Sequence, residues 1–173
     1  KRLYEQCGFT TRSTIYQVQG ELTTQPDVSD EFEITDVDAS SLSTVIELDN
    51  QAFQANRSAL LKALVARGKC VIASQNGQSQ GYAFIRESGR GETIGPVVAS
   101  DADVAKALAA ALLHQAKGFV RFDLTEHASD LKSWLTDLGL QQVDEVSLMV
   151  KGEWLAEQAA DYQVYSLASQ AFG

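Results

Sequence analysis

The chain has 173 residues, and its content of 45% hydrophobic and 21% charged residues is typical of one globular domain with short extensions. The formal net charge of −9 at pH 7 argues against a nucleic-acid-binding surface, and no apolar run approaches the length that spans a membrane. Cys7 and Cys70 lie far apart with no metal-ligand spacing, so we expect buried thiols in a reducing, cytoplasmic compartment and no metal site.

The first stretch, "KRLYEQCGF", has the pattern of a helix C-terminus. It predicts the last turn of a helix, a stop at Gly8 and the first residue of a strand. Either this is a coincidence or residues 1–22 are the remnant of a preceding domain. Residues 15–18 are a short strand candidate, and the polar, acidic residues 23–31 are typical of a linker. Because this strand lacks its own domain, we expect Thr14–Val18 at a sheet edge, of this domain or of a second molecule.

Residues 32–98 alternate between strand and helix patterns. A strand over 32–37 is followed by a helix that Asp38 or Ser40 caps. Asn56 or Ser58 is expected to cap a second helix, which is expected to stop at Gly68. The stretch from Cys70 to Arg86 predicts a hairpin with its turn at "NG". The next strand is "ETIGPVVA", with a bulge expected near its proline, which cannot donate to a ladder.

The remaining residues up to 152 predict two helices and two strands. An Ala-rich helix covers 102–117 and ends at Gly118. "FVRFDL" is apolar enough for a strand buried on both faces. "ASDLKSWLTDLGL" is a short amphipathic helix that stops at Gly139, and "VSLMV" is expected to be the closing strand. We assign 32–152 to one α/β domain and 153–173 to a C-terminal extension.

The order is strand, two helices, three antiparallel strands, helix, strand, helix, strand. From Phe32 to about Lys151 this order resembles the GNAT (Gcn5-related) N-acetyltransferases, which implies a mixed sheet. The resemblance implies that the strands beginning near Thr93 and Phe119 are parallel and splay apart at their C-terminal ends, since the helix between them is long enough for a right-handed crossover.

A repeated motif extends the resemblance. The end of the GNAT fold typically has Leu-Tyr, three variable residues, Gly-Phe and then a strand. "RLYEQCGF" matches that pattern, "SWLTDLGL" is its counterpart, and the interval from Gly8 to Gly139 is close to the length of one such domain. The stretch "YAFIR…GRGETIGPVVASD" also resembles the C-terminal domain of bacterial tandem GNAT proteins. The chain is therefore interpreted as the second half of a tandem GNAT protein, preceded by the tail of the first half.

The resemblance implies a cofactor site for acetyl-CoA. In the family, a strand offers backbone groups to the pantetheine arm, and a Gly-containing loop offers N–H groups to the pyrophosphate at a helix N-terminus. Here that loop is "ASDADVA", which has no glycine. We expect Asp101 or Asp103 to cap the helix, which takes the donors a phosphate needs and weakens acetyl-CoA binding. The candidate cofactor-binding residues are Val97, Val98, Asp101, Ala102, Asp103, Val104 and Ala105.

Candidate catalytic residues follow from the same resemblance. A tyrosine four residues before the Gly-Phe pair often protonates the leaving thiolate, and this position is Tyr4 in the first motif but Leu135 in the second. Glu92 stands where a base could lie, or is a solvated charge at a strand end. Three further polar residues are candidates for the substrate cleft, although helix capping and plain exposure explain them equally well: Asp123, Glu126 and His127.

Three functions remain open for the chain. It could bind acetyl-CoA and transfer an acetyl group, it could be a silent domain that supports a catalytic twin or holds a homodimer together, or it could bind another small molecule in the old cleft. For the parent protein we expect N-acetylation of an unidentified small-molecule amine, with the preceding GNAT domain as the catalytic half. For residues 23–173 we favour the silent domain.

Overall fold

The computed structural model describes residues 2–152 and 161–171. Predicted residues 153–160 and 172–173 of the C-terminal extension lie outside the described part. The elements in chain order are α1 (Arg2–Gln6), β1 (Thr10–Gly20), β2 (Glu33–Asp36), α2 (Leu42–Phe53), α3 (Ser58–Val65), β3 (Gly68–Gln75), β4 (Gln78–Glu87), β5 (Glu92–Ala99), α4 (Ala102–Leu113), β6 (Val120–Leu124), a 3₁₀ turn (Glu126–Ala128), α5 (Ser129–Asp137), β7 (Gln141–Val150) and β8 (Gln163–Ser166).

The described strands form one mixed sheet of eight strands in the order β2-β3-β4-β5-β8-β6-β1-β7. β5 and β6 pair in parallel, and the other pairings are antiparallel. The mixed α/β sheet predicted from the resemblance is confirmed. The tight turn of the β3–β4 hairpin is also as predicted, because Asn76 and Gly77 both have positive φ, at 52° and 77°.

Helices cover both faces of the sheet. α4 and α5 pack on one face together with alternate residues of β4 such as Ala83 and Ile85. α2 and α3 pack on the other face, against Tyr82 and Phe84 of the same strand. Since successive residues of a strand point to opposite faces, β4 is apolar without interruption from Tyr82 to Ile85.

The sequence-based position of β1 is wrong. β1 lies inside the sheet, between β6 and β7, and β7 is the edge strand. The reason is that β1 is apolar on both faces: Ile15 is 2% exposed and Val18 is 0% exposed. An edge position would have left part of that surface in water.

Three smaller expectations are also corrected. Gly68 does not stop α3 but begins β3, where a side chain would collide with the backbone of Ile85. α4 ends at Leu113, a turn before the expected end. Cys7 is exposed, so the two thiols are not both buried, although burial does raise the pKa of the Cys70 thiol. Among the described residues, no helix combines the length and apolarity needed to cross a bilayer.

Candidate active site

The splayed strands predicted from the resemblance are present. β5 and β6 pair in parallel only at their beginnings, where Glu92 lies beside Val120 and Thr93 lies beside Arg121. Beyond that point the two strands diverge. A register shift against β4 at Gly95 and Pro96 is the bulge that the sequence predicted. The fold therefore opens a gap between β5 and β6 at the place where the GNAT resemblance puts the pantetheine arm.

β8 fills that gap. It pairs antiparallel with the end of β5 and with the last residue of β6. The pairs are Val97 with Ser166, Val98 with Val164, Ala99 with Gln163 and Leu124 with Ser166. The predicted closing strand, β7, is thus not the last one, because four residues of the extension enter the middle of the sheet.

Directional hydrogen bonds hold β8 in place. The Ser166 hydroxyl lies 3.1 Å from the Ile94 carbonyl oxygen and 3.3 Å from the Asp123 carbonyl oxygen. The Leu167 amide donates to the Asp123 carbonyl at 2.8 Å. Gly95 admits this close approach, since a side chain there would collide with the Leu167 carbonyl. The edge of β5 that would offer backbone groups to a pantetheine arm is therefore already paired.

The N-terminus of α4, which follows the loop after β5, is capped as the sequence predicted. One carboxylate oxygen of Asp101 accepts hydrogen bonds from the Asp103 and Val104 amides, both at 3.0 Å. The Asp103 carboxylate is exposed and lies 3.7 Å from the Lys106 ammonium. Val104 and Ala105 lie on the buried face of α4, in the core. Two first-turn amides of α4 are thus bonded to a carboxylate, and negative charge surrounds the helix N-terminus.

These residues do not fit acetyl-CoA in the way the family holds it. The pantetheine arm needs the free edge of β5, which pairs with β8. The pyrophosphate needs amide donors and no neighbouring anion, whereas Asp101 takes two of the donors and brings a negative charge. Both cofactor subsites implied by the resemblance are therefore filled by side chains or backbone of this chain.

The Asp123 carboxylate lies in a buried polar cluster on the face of the sheet opposite α4. It is 0% exposed, and Arg121 holds it through Nη2, which lies 2.8 and 3.0 Å from its two oxygens, and through Nε, which lies 3.1 Å from one of them. Thr93 stands between Arg121 and Arg86 in the register of the three strands. Burial lowers the pKa of Arg86. The Asp123 carboxylate raises this pKa, and the Arg121 guanidinium lowers it further. Arg86 donates to the carbonyl of Ala168, so the segment after β8 covers this cluster.

The other predicted site residues are separate from Asp123. Glu126 and His127 are exposed in the 3₁₀ turn that follows β6. Glu92 lies at the opposite end of β5 from Asp101, and its carboxylate accepts a hydrogen bond from the Lys117 amide at 2.7 Å. Tyr4 is 55% exposed and packs edge-on against Phe9, with ring centroids 5.6 Å apart. The structure thus unites Val97 and Val98 with Asp123 around β8, and leaves these four outside.

Sequence reasoning missed a second buried ionic cluster, between α2, α3 and β4. Asp49 and Tyr82 are both 0% exposed, and the Tyr82 hydroxyl donates to the Asp49 carboxylate. The Arg57 guanidinium lies 3.3 Å from the same carboxylate and stacks on the Phe53 ring. Burial raises the pKa of Asp49, against the lowering effect of Tyr82 and Arg57. A signal existed, since Asp49 interrupts the apolar face formed by Val45, Leu48 and Ala52.

Comparison with known proteins agrees with this architecture. A profile described as "Acetyltransferase (GNAT) domain" matches residues 45–166, so the chain belongs to the GNAT acetyltransferase family. The matched range ends at the last residue of β8. β8 is therefore within the matched family domain, whereas β1 precedes it.

Individual relatives are longer than this chain. It is 27% identical over 173 residues to the uncharacterized N-acetyltransferase YitH of Bacillus subtilis, covering 99% of this chain and 61% of that protein. A putative acetyltransferase from Pyrococcus horikoshii superposes with a TM-score of 0.75 at 21% identity, over 99% of this chain and 56% of that one. A GCN5-related N-acetyltransferase from Kribbella flavida gives a TM-score of 0.61 at 16% identity, over 90% of this chain and 65% of that one. The chain spans about three fifths of these proteins.

Proposed function

We propose that this chain is the catalytically silent half of a tandem GNAT N-acetyltransferase. The parent protein would transfer an acetyl group from acetyl-CoA to a small-molecule amine in a preceding GNAT domain. The motif at residues 2–9 would end the last helix of that domain, with Tyr4 placed to protonate the leaving thiolate, while β1 lies in the sheet of this half. The observation that carries the proposal is the pairing of β8 with Val97–Ala99, on the strand edge that a cofactor would need.

Two further features support a silent half. The Asp101 carboxylate occupies the first-turn amides of α4. The position that corresponds to Tyr4 is Leu135, a fully buried side chain with no proton to donate. Within the described residues, the edge of β5 is paired, the first turn of α4 is capped and the tyrosine position holds a leucine, which favours a supporting role for this half.

The test is a calorimetric titration of acetyl-CoA into the 173-residue chain and, in parallel, into the full-length polypeptide. We expect saturable binding by the full-length polypeptide and a dissociation constant weaker than about 1 mM for the chain alone. Coenzyme A without the acetyl group is the matched ligand control. Micromolar binding of acetyl-CoA by the chain alone would overturn the proposal and make its cleft a working cofactor site.

A further inference from the structure

The two Gly motifs have the same geometry. In each, the helix ends with a glycine of positive φ, 84° at Gly8 and 107° at Gly139. We call two residues counterparts when the interval between them equals the interval from Gly8 to Gly139. The same backbone hydrogen bonds close both helix ends, and each donor and acceptor in the second motif is the counterpart of one in the first. The pairs of bonds are Cys7→Leu3 and Leu138→Trp134, Gly8→Glu5 and Gly139→Thr136, Phe9→Tyr4 and Leu140→Leu135. α1 and α5 are therefore ends of the same structural unit.

The strands that follow these motifs, β1 and β7, pair with each other in a symmetric register. Ile15 pairs with Val146, and Val146 is also the counterpart of Ile15. Every other pair has a mirror pair when each residue is replaced by its counterpart. These are Thr10–Val150 with Gln19–Gln141, Thr11–Met149 with Val18–Gln142, Ser13–Leu148 with Gln17–Asp144, and Thr14–Ser147 with Tyr16–Glu145. A pseudo-twofold axis thus passes between Ile15 and Val146.

The irregularities of the ladder obey the same symmetry. The register skips Arg12 on β1, between Thr11 and Ser13. It also skips Val143 on β7, which is the counterpart of Arg12. A bulge costs a ladder pair and bends its strand, so two bulges at equivalent places indicate two equivalent strands.

One half of this symmetric pair is buried and the other half is not. Leu135 of α5 and Leu140 are 0% exposed in the core under α4. Their counterparts are Tyr4, which is 55% exposed, and Phe9, which is half-buried. Leu3 of α1 is 70% exposed, whereas its counterpart Trp134 packs against the core. α1 thus has apolar residues at the positions that a helix buries against a sheet, but among the described residues no sheet lies against them.

We infer that the outer edge of β7, which pairs with no strand of the described residues, pairs with a strand of a preceding GNAT domain, the counterpart of β6, and that the two halves exchange strands in one continuous sheet. This inference rests on the tandem arrangement proposed above. In this half, β1 pairs with β6 through Tyr16–Gly20. The symmetry places residues 147–151, the end of β7 and the residue after it, against the equivalent strand of the other half. Each half then contains, next to its own β6-type strand, the strand that follows the Gly motif of the other half.

The edges of the sheet support a partner at β7. At one end lies β2, a strand of four residues, and short edges are a common protection against unwanted pairing. At the other end lies β7, a strand of ten residues in which Val146 and Leu148–Val150 are half-buried. A long edge with unpaired N–H and C=O groups is a template for another strand.

A preceding domain fits this edge better than a second copy of the chain. The symmetry relates two segments of one polypeptide. In a second copy of the chain, β1 would already lie between β6 and β7, so the β6 of that copy would have no open edge to offer to β7 of the first. The 173 matched residues are 61% of YitH, so roughly 110 of its residues lie outside the match, about the size of the missing part of one domain.

Amide hydrogen exchange with mass spectrometry tests the inference on the full-length polypeptide and on the 173-residue chain. We expect the Ser147–Val150 amides to exchange at least about tenfold more slowly in the full-length polypeptide. Exchange in β2, the matched edge strand at Glu33–Asp36, is expected to stay the same. Equal exchange at Ser147–Val150 in both proteins would overturn the inference. Protection that disappears on dilution would assign the edge to a second copy and would also overturn it.

Proline substitutions give an independent readout. Consecutive residues of a strand direct their N–H groups to opposite edges, so one of Ser147→Pro and Leu148→Pro disturbs the ladder with β1 and the other disturbs only the outer edge. In the 173-residue chain we expect one of the two to lower the melting temperature clearly more than the other. In the full-length polypeptide both should lower it by several degrees. An outer-edge proline that stays silent there contradicts the inference, while the acetyl-CoA titration still decides the silent-half proposal separately.

Discussion

β1 and β8 both enter the sheet from outside the stretch that the sequence marks as the domain, and they do so in different ways. β1 has eleven residues and pairs along its length with β7 and over five residues with β6. β8 has four residues, with three pairs to β5 and one to β6. β1 therefore builds the sheet, whereas β8 fills an opening in it.

The two strands are also held by different forces. β1 contributes Ile15 to one face and Val18 to the other, and each burial is worth about 1.5–3 kcal/mol. β8 is anchored through Ser166 and through Thr125, whose hydroxyl donates to the Val164 carbonyl at 2.5 Å. Apolar burial tolerates small displacements, but hydrogen bonds specify one position. The difference indicates that β8 is fitted to the cleft and β1 to the core.

Deletion of residues 1–22 should have the largest effect on stability. It removes a strand that lies between two others, so it takes Ile15 and Val18 out of the core and leaves the facing edges of β6 and β7 with unpaired backbone groups. We expect the cooperative thermal transition in circular dichroism to disappear, because the loss is comparable with a net stability of about 5–15 kcal/mol.

Deletion of residues 1–8 is the matched control for this experiment. It removes the exposed α1 and keeps β1, so we expect the transition to remain, with a change of at most about 1 kcal/mol. A 1–22 deletion that melts within a few degrees of the parent would show that β1 is dispensable, and β1 would then resemble β8 rather than differ from it.

Ser166→Ala should have the next largest effect. The hydroxyl lies within hydrogen-bond distance of two buried carbonyl oxygens, and its removal leaves the Ile94 carbonyl without this donor. We expect a loss of about 1–3 kcal/mol in the free energy of unfolding, measured by urea titration. Ser169→Ala is the control, since among the described residues that hydroxyl accepts one exposed hydrogen bond, from the Ala171 amide, and it should change stability by less than about 0.5 kcal/mol. Equal effects would mean that β8 is not specifically anchored.

Much of the fold could be predicted because it depends on local patterns. The hairpin turn at Asn76 and Gly77, the bulge at Pro96 and the order of elements from β2 to β7 follow from turn chemistry and periodicity. The neighbours of β1 could not be predicted in this way, since pairing depends on which strands remain open elsewhere in the sheet. β8 was missed because four residues carry too little periodicity to identify a strand.

The candidate site was predictable to a smaller extent. The cap at Asp101 is a local feature, and an acidic residue immediately before an Ala-rich helix is enough to predict it. The contact of Arg121 Nε and Nη2 with the Asp123 carboxylate follows from their separation by two residues on one strand, once the strand is known. The Asp49–Arg57–Tyr82 cluster joins three elements, and no local pattern shows which cation or hydroxyl a buried carboxylate will meet.

The smallest expected effect comes from substitutions in the loop after β5. They test whether β8 or the Asp101 cap is the element that excludes acetyl-CoA. Asp101→Gly combined with Asp103→Gly removes the cap and an exposed ion pair, so stability should fall by about 1 kcal/mol. With β8 still in the cleft, acetyl-CoA binding should stay below detection in calorimetry. The same double substitution in a chain that ends at Gly152 should raise any residual affinity, because the strand edge and the helix terminus are then both free. Asp103→Ala alone is the control and should leave the cap intact. Tight binding by the unsubstituted chain, weakened by the double substitution, would instead show that the loop is a working cofactor site and that β8 does not close it.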